Sequence, residues 1–209
     1  GPHLVVCPLS VVRNWESEAA RFVPLMRVMV HHGTSRMHAA EFVHAVAAHD
    51  LVVTTYQVAT RDLDTMQAVP WSTVVLDEAQ NIKNASTHAA QVVGQLQARH
   101  RLCLSGTPME NHLGEIWSLF HFLMPGFLGS QQRFKEMFRT PIEKLGDSAR
   151  MVQLRTRITP FMLRRTKALV ASELPPKVET VMPVEMIGAQ ADLYETIRLG
   201  MERTVREAL

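Results

Sequence analysis

Over its first half the chain alternates short β-branched runs with amphipathic helical patterns, as expected of a parallel sheet with helices on both faces. Leu4-Val5-Val6-Cys7 reads as a buried strand broken by Pro8, and Ser10 stands where it can cap the next helix. That helix places Val11, Val12, Trp15, Ala19 and Phe22 on one face, at the helical period. Arg27 to Val30 predicts a second strand, ended by His31-His32-Gly33, and a helix from about Ser35 to Ala48 leads to the strand Leu51-Val52-Val53-Thr54. Trp71 to Leu76 predicts a fourth strand that ends on Asp77-Glu78. A helix over Ala85 to Ala98 follows, then a fifth strand at Arg101-Leu102-Cys103-Leu104 and a turn at Ser105-Gly106-Thr107-Pro108.

Beyond the turn the texture changes. Leu113, Ile116, Trp117, Phe120, Leu123 and Met124 form a helical stripe stopped by Pro125-Gly126. Residues from about Gln131 to Thr159 read as mostly helical, and Phe161-Met162-Leu163 suits a last short strand. Leu174-Pro175-Pro176-Lys177 has the composition of a linker, and a terminal helix carries Ala189, Leu193, Ile197, Met201 and Val205, with Glu202 and Arg206 one turn apart. The expected organisation is an α/β lobe over 1–125, a helical protrusion over 126–160, a closing strand and linker over 161–177, and a connecting segment over 178–209.

Composition narrows the classes without choosing among them. The 209 residues are 46% hydrophobic and 20% charged, the balance of an ordinary globular protein. No apolar run is long enough to span a bilayer, and no secretory leader is visible, which in a chain read as a fragment says little about its parent. Two cysteines that form no disulfide framework give the expectation of an intracellular setting. Cys7 and Cys103 sit in apolar runs and read as reduced thiols. His31, His32 and His38 match no strong metal-ligand spacing. A formal net charge of +2 does not by itself point to nucleic acid.

The candidate chemistry lies at the carboxyl ends of the predicted strands, where open α/β sheets bind ligands. Asp77-Glu78 closes an apolar run, which suits a carboxylate holding a hydrated divalent cation beside one that activates water. In isolation such a pair is equally the start of a loop or a helix cap. The five lysines follow Ile82, Phe134, Glu143, Thr166 and Pro176, so no GxxxxGK[ST] phosphate loop can be drawn. The acidic pair is therefore read as half of a catalytic site.

Longer matches give that pair its context. Val74-Val75-Leu76-Asp77-Glu78-Ala79-Gln80-Asn81-Ile82-Lys83-Asn84 resembles the second helicase motif of the Swi/Snf-type DNA-dependent ATPases, within the wider DEAD/DEAH-box superfamily. Leu104-Ser105-Gly106-Thr107-Pro108-Met109-Glu110-Asn111 resembles their third motif, Leu4 to Trp15 motif Ia, and Val53-Thr54-Thr55-Tyr56 motif Ib. Phe161 to Lys167, followed by Leu174 to Lys177, is similar to the segment that closes the first lobe.

The resemblance implies a RecA-like first lobe of a motor that couples ATP hydrolysis to translocation on double-stranded DNA. ATP and Mg²⁺ are the implied cofactors, and double-stranded DNA, a second RecA-like lobe of the same parent chain and DNA-bound proteins the implied partners. By position, Asp77 would hold Mg²⁺, Glu78 would activate water, and Gln80 would link the nucleotide site to the neighbouring lobe. Ser105, Gly106 and Thr107 would pass the nucleotide state to the DNA-gripping surface. Pro8, Ser10, Thr54 and Thr55 would line the DNA path, and Lys83 and Asn84 would orient the acidic motif or face DNA. Arg164, Arg165 and Lys167 would brace the sheet, pair with acids near the nucleotide or approach DNA phosphate. Lacking a phosphate loop, the chain alone is expected to be inactive. The location would be cytoplasm or nucleoid in a bacterium, or nucleus in a eukaryote. Two alternatives remain: a helicase that separates DNA or RNA strands, and a non-catalytic docking module.

Overall fold

The computed structural model describes residues 1–165, 180–183 and 185–208, with side chains through 202. Five parallel strands form one sheet: β1 (His3–Cys7), β2 (Val28–His31), β3 (Leu51–Thr55), β4 (Trp71–Leu76) and β5 (Ala98–Cys103), in the order β2-β3-β1-β4-β5. The α/β class expected from the alternating pattern is the one observed.

Strand parity divides the core between the two faces. Leu4, Val6, Val52, Val74 and Leu76 point to one side. There they meet α2 (Ala39–Ala47), α3 (Tyr56–Arg61), α4 (Leu63–Gln67), α5 (His88–Gly94) and α6 (Leu113–Leu123), through side chains that include Phe42, Val58, Met66, Val93 and Leu119. Val5, Cys7, Leu51 and Val53 point to the other side, against Val12, Trp15 and Ala19 of α1 (Val12–Phe22). Burying both faces explains why β1 and β3 are continuous apolar runs rather than alternating ones.

Helix α6 is shared by two cores. Leu119 and Phe122 belong to the sheet core, whereas Leu113, Ile116, Trp117 and Phe120 join Leu128, Phe134, Phe138 and Leu154 in a separate helical cluster. That cluster is built from α7 (Gln131–Phe134), a π turn (Lys135–Arg139), α8 (Thr140–Leu145) and α9 (Ser148–Ile158). Ser130 caps α7 and Asp147 caps α9, each accepting a backbone N–H with its side chain. Gly146, at φ +66°, ends α8 in the left-handed conformation that glycine adopts without a Cβ penalty.

Several expectations are corrected. Ser10 does not cap α1: it lies inside a 3-10 turn (Leu9–Val11), and Val11 takes the cap position without a side-chain bond. Helix α2 begins at Ala39 rather than near Ser35. Residues 56–67, for which no element was expected, form α3 and α4. Helix α5 ends at Gly94, and Ala98 opens β5; the polar Ala98-Arg99-His100-Arg101 carries no β-branched signal because this strand lies at the sheet edge. Phe161 ends a 3-10 turn (Thr159–Phe161) rather than starting a strand; Met162 is extended (φ −122°, ψ 126°) but joins no ladder. Lys167 and the Leu174–Lys177 stretch lie outside the described residues.

The chain divides after Met162 into two compact units. The second contains the helix α10 (Ala189–Ala208), on which Arg198 pairs with Glu195 and Glu202. No helix among the described residues is long and apolar enough to cross a membrane.

Candidate active site

Register brings the predicted motifs to one edge. Val6 pairs with Thr54 on one side and with Leu76 on the other, and Leu76 pairs with Cys103. The residues that follow these positions, Pro8, Thr55, Asp77 and Ser105, therefore emerge together at the carboxyl ends of four adjacent strands. Beyond β5, the Leu104 N–H donates to Leu76 O (2.8 Å) and the Ala79 N–H to Leu104 O (2.9 Å), which draws Ser105 toward Gln80.

Asp77 is held from four directions. Its N–H donates to Val6 O (2.9 Å), and its carbonyl accepts the Tyr56 hydroxyl (2.9 Å). Its Oδ2 accepts the Trp15 indole N–H (2.8 Å), and its Oδ1 accepts the Glu78 N–H (2.9 Å). Glu78 sits at φ 49°, ψ 53°, a left-handed conformation unusual for a residue with a Cβ. The Asn81 N–H (3.0 Å) and side-chain amide (2.8 Å) donate to the Glu78 carbonyl and hold it there. Strain of this kind collects where a side chain must be aimed.

From Glu78 a hydrogen-bonded path crosses to the neighbouring strand exit. The Gln80 amide donates to Glu78 Oε2 (2.7 Å), the Ser105 hydroxyl donates to Gln80 Oε1 (2.9 Å), and the Thr107 N–H donates to Ser105 Oγ (3.1 Å). The residues picked from the second and third motifs, apart from Asn84 and Gly106, thus enter one network with Lys83. The Lys83 ammonium is ion-paired with Glu110 and lies 3.9 Å from Glu115. Lys83, and then the Thr107 hydroxyl, hold the Glu110 carboxyl below its ordinary range. Asn84 is exposed, and its side chain accepts from the Ser86 N–H and hydroxyl. Ser10 is exposed, Pro8 half-buried, and Thr54 and Thr55 are buried. The Thr54 hydroxyl donates to His31 O (2.9 Å), and Thr55 Oγ1 accepts the Val58 N–H (3.2 Å), capping α3. Arg164 and Arg165 are exposed, in the second unit.

Sequence reasoning missed three residues that organise this edge. Trp15 was read as part of an apolar stripe and the end of motif Ia, and Tyr56 only as the end of motif Ib; both reach Asp77. Glu115 is buried, yet accepts the Glu110 N–H (2.7 Å), the Asn111 N–H (3.2 Å) and the Asn111 side-chain amide (2.9 Å). Burial pushes its carboxyl up, but these donors outweigh it and the net shift is downward. A lone acid within the Leu113–Phe120 stripe is the signal that could have found it. The cysteines are free, and burial pushes both thiols up to about 12, with the negative charge of Asp77 adding to the effect at Cys7.

The oxygen donors present suit a hard cation. Asp77 and Glu78 are both half-buried carboxylates at a strand end, and each Asp77 oxygen that accepts one N–H keeps a further lone pair. Among the described residues no group of three or more metal-ligating side chains occurs, and Mg²⁺ characteristically needs only one or two carboxylates plus phosphate and water. A groove of about 750 Å³ is lined by Ala40, Val43, Asp64 and their neighbours on α2 and α4 and shares no residue with this edge; the convergence of polar groups, not concavity, marks the site.

A parallel α/β layer with an acidic pair at its central strand exit, linked to the adjoining exit turn, is the architecture of a RecA-like lobe. The chain belongs to the SNF2-related domain family, whose model matches residues 1–208. It is similar to YwqA of Bacillus subtilis, whose name assigns it provisionally as an ATP-dependent helicase/translocase, with 42% identity over 94% of this chain and 22% of YwqA. It is also similar to the TATA-binding protein-associated factor MOT1 of Saccharomyces cerevisiae, with 37% identity over 92% of this chain and 11% of MOT1. Among solved structures, the Sulfolobus solfataricus SWI2/SNF2 ATPase core in complex with dsDNA matches with a TM-score of 0.72 at 42% identity, covering 81% of this chain and 35% of that one. The chain thus spans less than a quarter of the length of these two curated relatives.

Proposed function

We propose that this chain is the nucleotide-hydrolysing half of the first lobe of an ATP-driven double-stranded DNA translocase, acting with a phosphate loop and a second lobe contributed by the rest of its parent. The observation that carries this reading is the continuous path Glu78–Gln80–Ser105–Thr107, which ties the residue suited to activating water to the strand exit beside it.

In this reading Asp77 holds hydrated Mg²⁺, which when bound neutralises triphosphate charge. Glu78, aimed by its left-handed backbone, orients the attacking water and takes up its proton. Gln80 holds the Glu78 carboxylate and reports its state to Ser105. Exposed Ser10, with nearby backbone N–H groups, serves DNA phosphates, giving affinity without sequence readout, while Thr54 and Thr55 are buried and spend their hydroxyls on His31 O and the Val58 N–H. Lys83, its charge already occupied by Glu110, keeps the third-motif turn in place. The parent would lie wherever its duplex substrate is, in nucleoid or nucleus.

The test is ATP turnover by the full-length parent with and without duplex DNA. Turnover stimulated by DNA is expected, and Glu78→Gln should lower kcat by about a hundredfold or more while duplex binding persists. Turnover indifferent to DNA would reject the motor reading, and efficient strand displacement would favour an unwinding helicase instead. The 209-residue chain alone, with no Gly-Lys phosphate loop, should not turn over ATP.

A further inference from the structure

We propose that Trp15 and Tyr56 are positioning residues that carry DNA occupancy to Asp77, on a route separate from the Gln80–Ser105 path. This rests on the reading above and adds to it a mechanism of regulation.

Two neighbouring strand exits, one leading to exposed Ser10, proposed to meet DNA, and one ending at buried Thr55, each place a hydrogen-bond donor on the same residue. Ser10 lies in the Leu9–Val11 turn, and that turn runs directly into α1, whose Trp15 donates its indole N–H to Asp77 Oδ2 (2.8 Å). Thr54 and Thr55 are followed at once by Tyr56, whose hydroxyl donates to Asp77 O (2.9 Å). One bond fixes the carboxylate and the other fixes its backbone. Asp77 is therefore the meeting point of the exposed Ser10 segment and the buried end of β3.

Neither donor can absorb a displacement by rotating. Tyr56 is buried in the main sheet core, and Trp15 packs in the cluster of Val5, Cys7, Val12 and Val53 on the opposite face. Close-packed rings move with their backbone, so a shift at exposed Ser10 on phosphate binding reaches Asp77 through α1 and Trp15, and reaches Tyr56 through the paired ends of β1 and β3. The bond from Trp15 is charge-assisted and directional, so small movements change where the carboxylate points. The Gln80–Ser105 path begins on Glu78 and does not pass through either ring. The two routes thus act on different carboxylates.

Binding linkage makes the coupling reciprocal: occupancy of the Asp77 site changes duplex affinity by the factor with which duplex changes occupancy. The first test places one fluorotryptophan at position 15 of the full-length parent and records its ¹⁹F resonance without nucleotide. Saturating duplex DNA should shift it, and in Tyr56→Phe the shift should shrink. The second test compares DNA-stimulated with DNA-free kcat. Tyr56→Phe keeps the ring but loses the donor, and Trp15→Phe keeps an aromatic side chain but loses the indole N–H; each should reduce the stimulation ratio by about tenfold while duplex Kd changes less than about twofold. A Trp15 resonance unmoved at saturating DNA, or a stimulation ratio within about twofold of wild type in both variants, would overturn the proposal. If wild type binds duplex without any stimulation, the underlying motor reading fails instead.

Discussion

Asp62 illustrates how single buried groups hold the strand-exit edge in place. Its carboxylate accepts from Arg36 Nε (2.5 Å) and Nη2 (2.9 Å) and pairs with His31 Nε2 (3.1 Å). Arg36 also donates to Gly33 O, so the loop after β2 is tied to the end of α3. The Arg36 bonds, against the opposing effect of burial, hold the Asp62 carboxyl below its usual range. Its stabilisation is complete above the unfolded value of about 3.9 and is lost as pH falls through the lower folded value. His31 shifts downward, chiefly because burial disfavours its charged form, against the pull of Asp62. Its contribution is present above about pH 6.5 and is lost as pH falls toward its lower folded value. Stability should therefore decline in two steps on acidification. Asp62→Asn leaves Arg36 without a counter-charge and alters the partner of neutral His31, and should cost about 3 kcal/mol at neutral pH. Chemical denaturation at pH 7, 5.5 and 3.5 reads both effects; the loss in the lowest range should be smaller in the variant than in wild type.

At the scale of elements, α6 joins two cores, and the helical one should yield first. Phe138 is buried in the cluster of α6, α7, α9 and the π turn and contributes nothing to the sheet core. Phe138→Ala should cost about 3–5 kcal/mol. Amide exchange in α7–α9 should accelerate before that in β1, β3 and β4, because local opening follows the weakened unit; equal acceleration everywhere would mean that the two clusters open as one. The same comparison shows what the sequence could and could not disclose. Strands β1, β3 and β4 were legible because burial on two faces makes them continuous β-branched runs. The Ala98 end of β5 was not, since an edge strand needs no such run, and neither were α3 and α4, each shorter than two turns. The acids, Gln80 and the Ser105–Thr107 turn were legible from local motifs. The bonds of Trp15 and Tyr56 to Asp77 were not, because they join separate motifs through tertiary contact and no local pattern records the partner.

For the molecule as a whole, the proposed translocase reading requires a source of duplex affinity, and the ionic partners already made indicate which residues would supply it. The formal charge of +2 creates no strong general attraction. Of the residues proposed to face DNA on the first unit, Pro8, Ser10, Thr54, Thr55 and Asn84 are neutral, and Lys83 is paired with Glu110. Neutral donors make contacts but release no counterions, so they add little to salt dependence. Arg164 and Arg165 differ: they are exposed and make no ion pair among the described residues. We expect these two to supply phosphate neutralisation, with Lys83 acting on the protein itself. Duplex affinity of the full-length parent, plotted as log K against log salt, separates the cases. Arg164→Gln with Arg165→Gln should reduce the slope by about two, whereas Lys83→Gln should change it by less than about one and instead loosen the turn at Glu110. A Lys83→Gln slope reduced as much as that of a single arginine variant would show that Lys83 leaves Glu110 for phosphate when DNA binds.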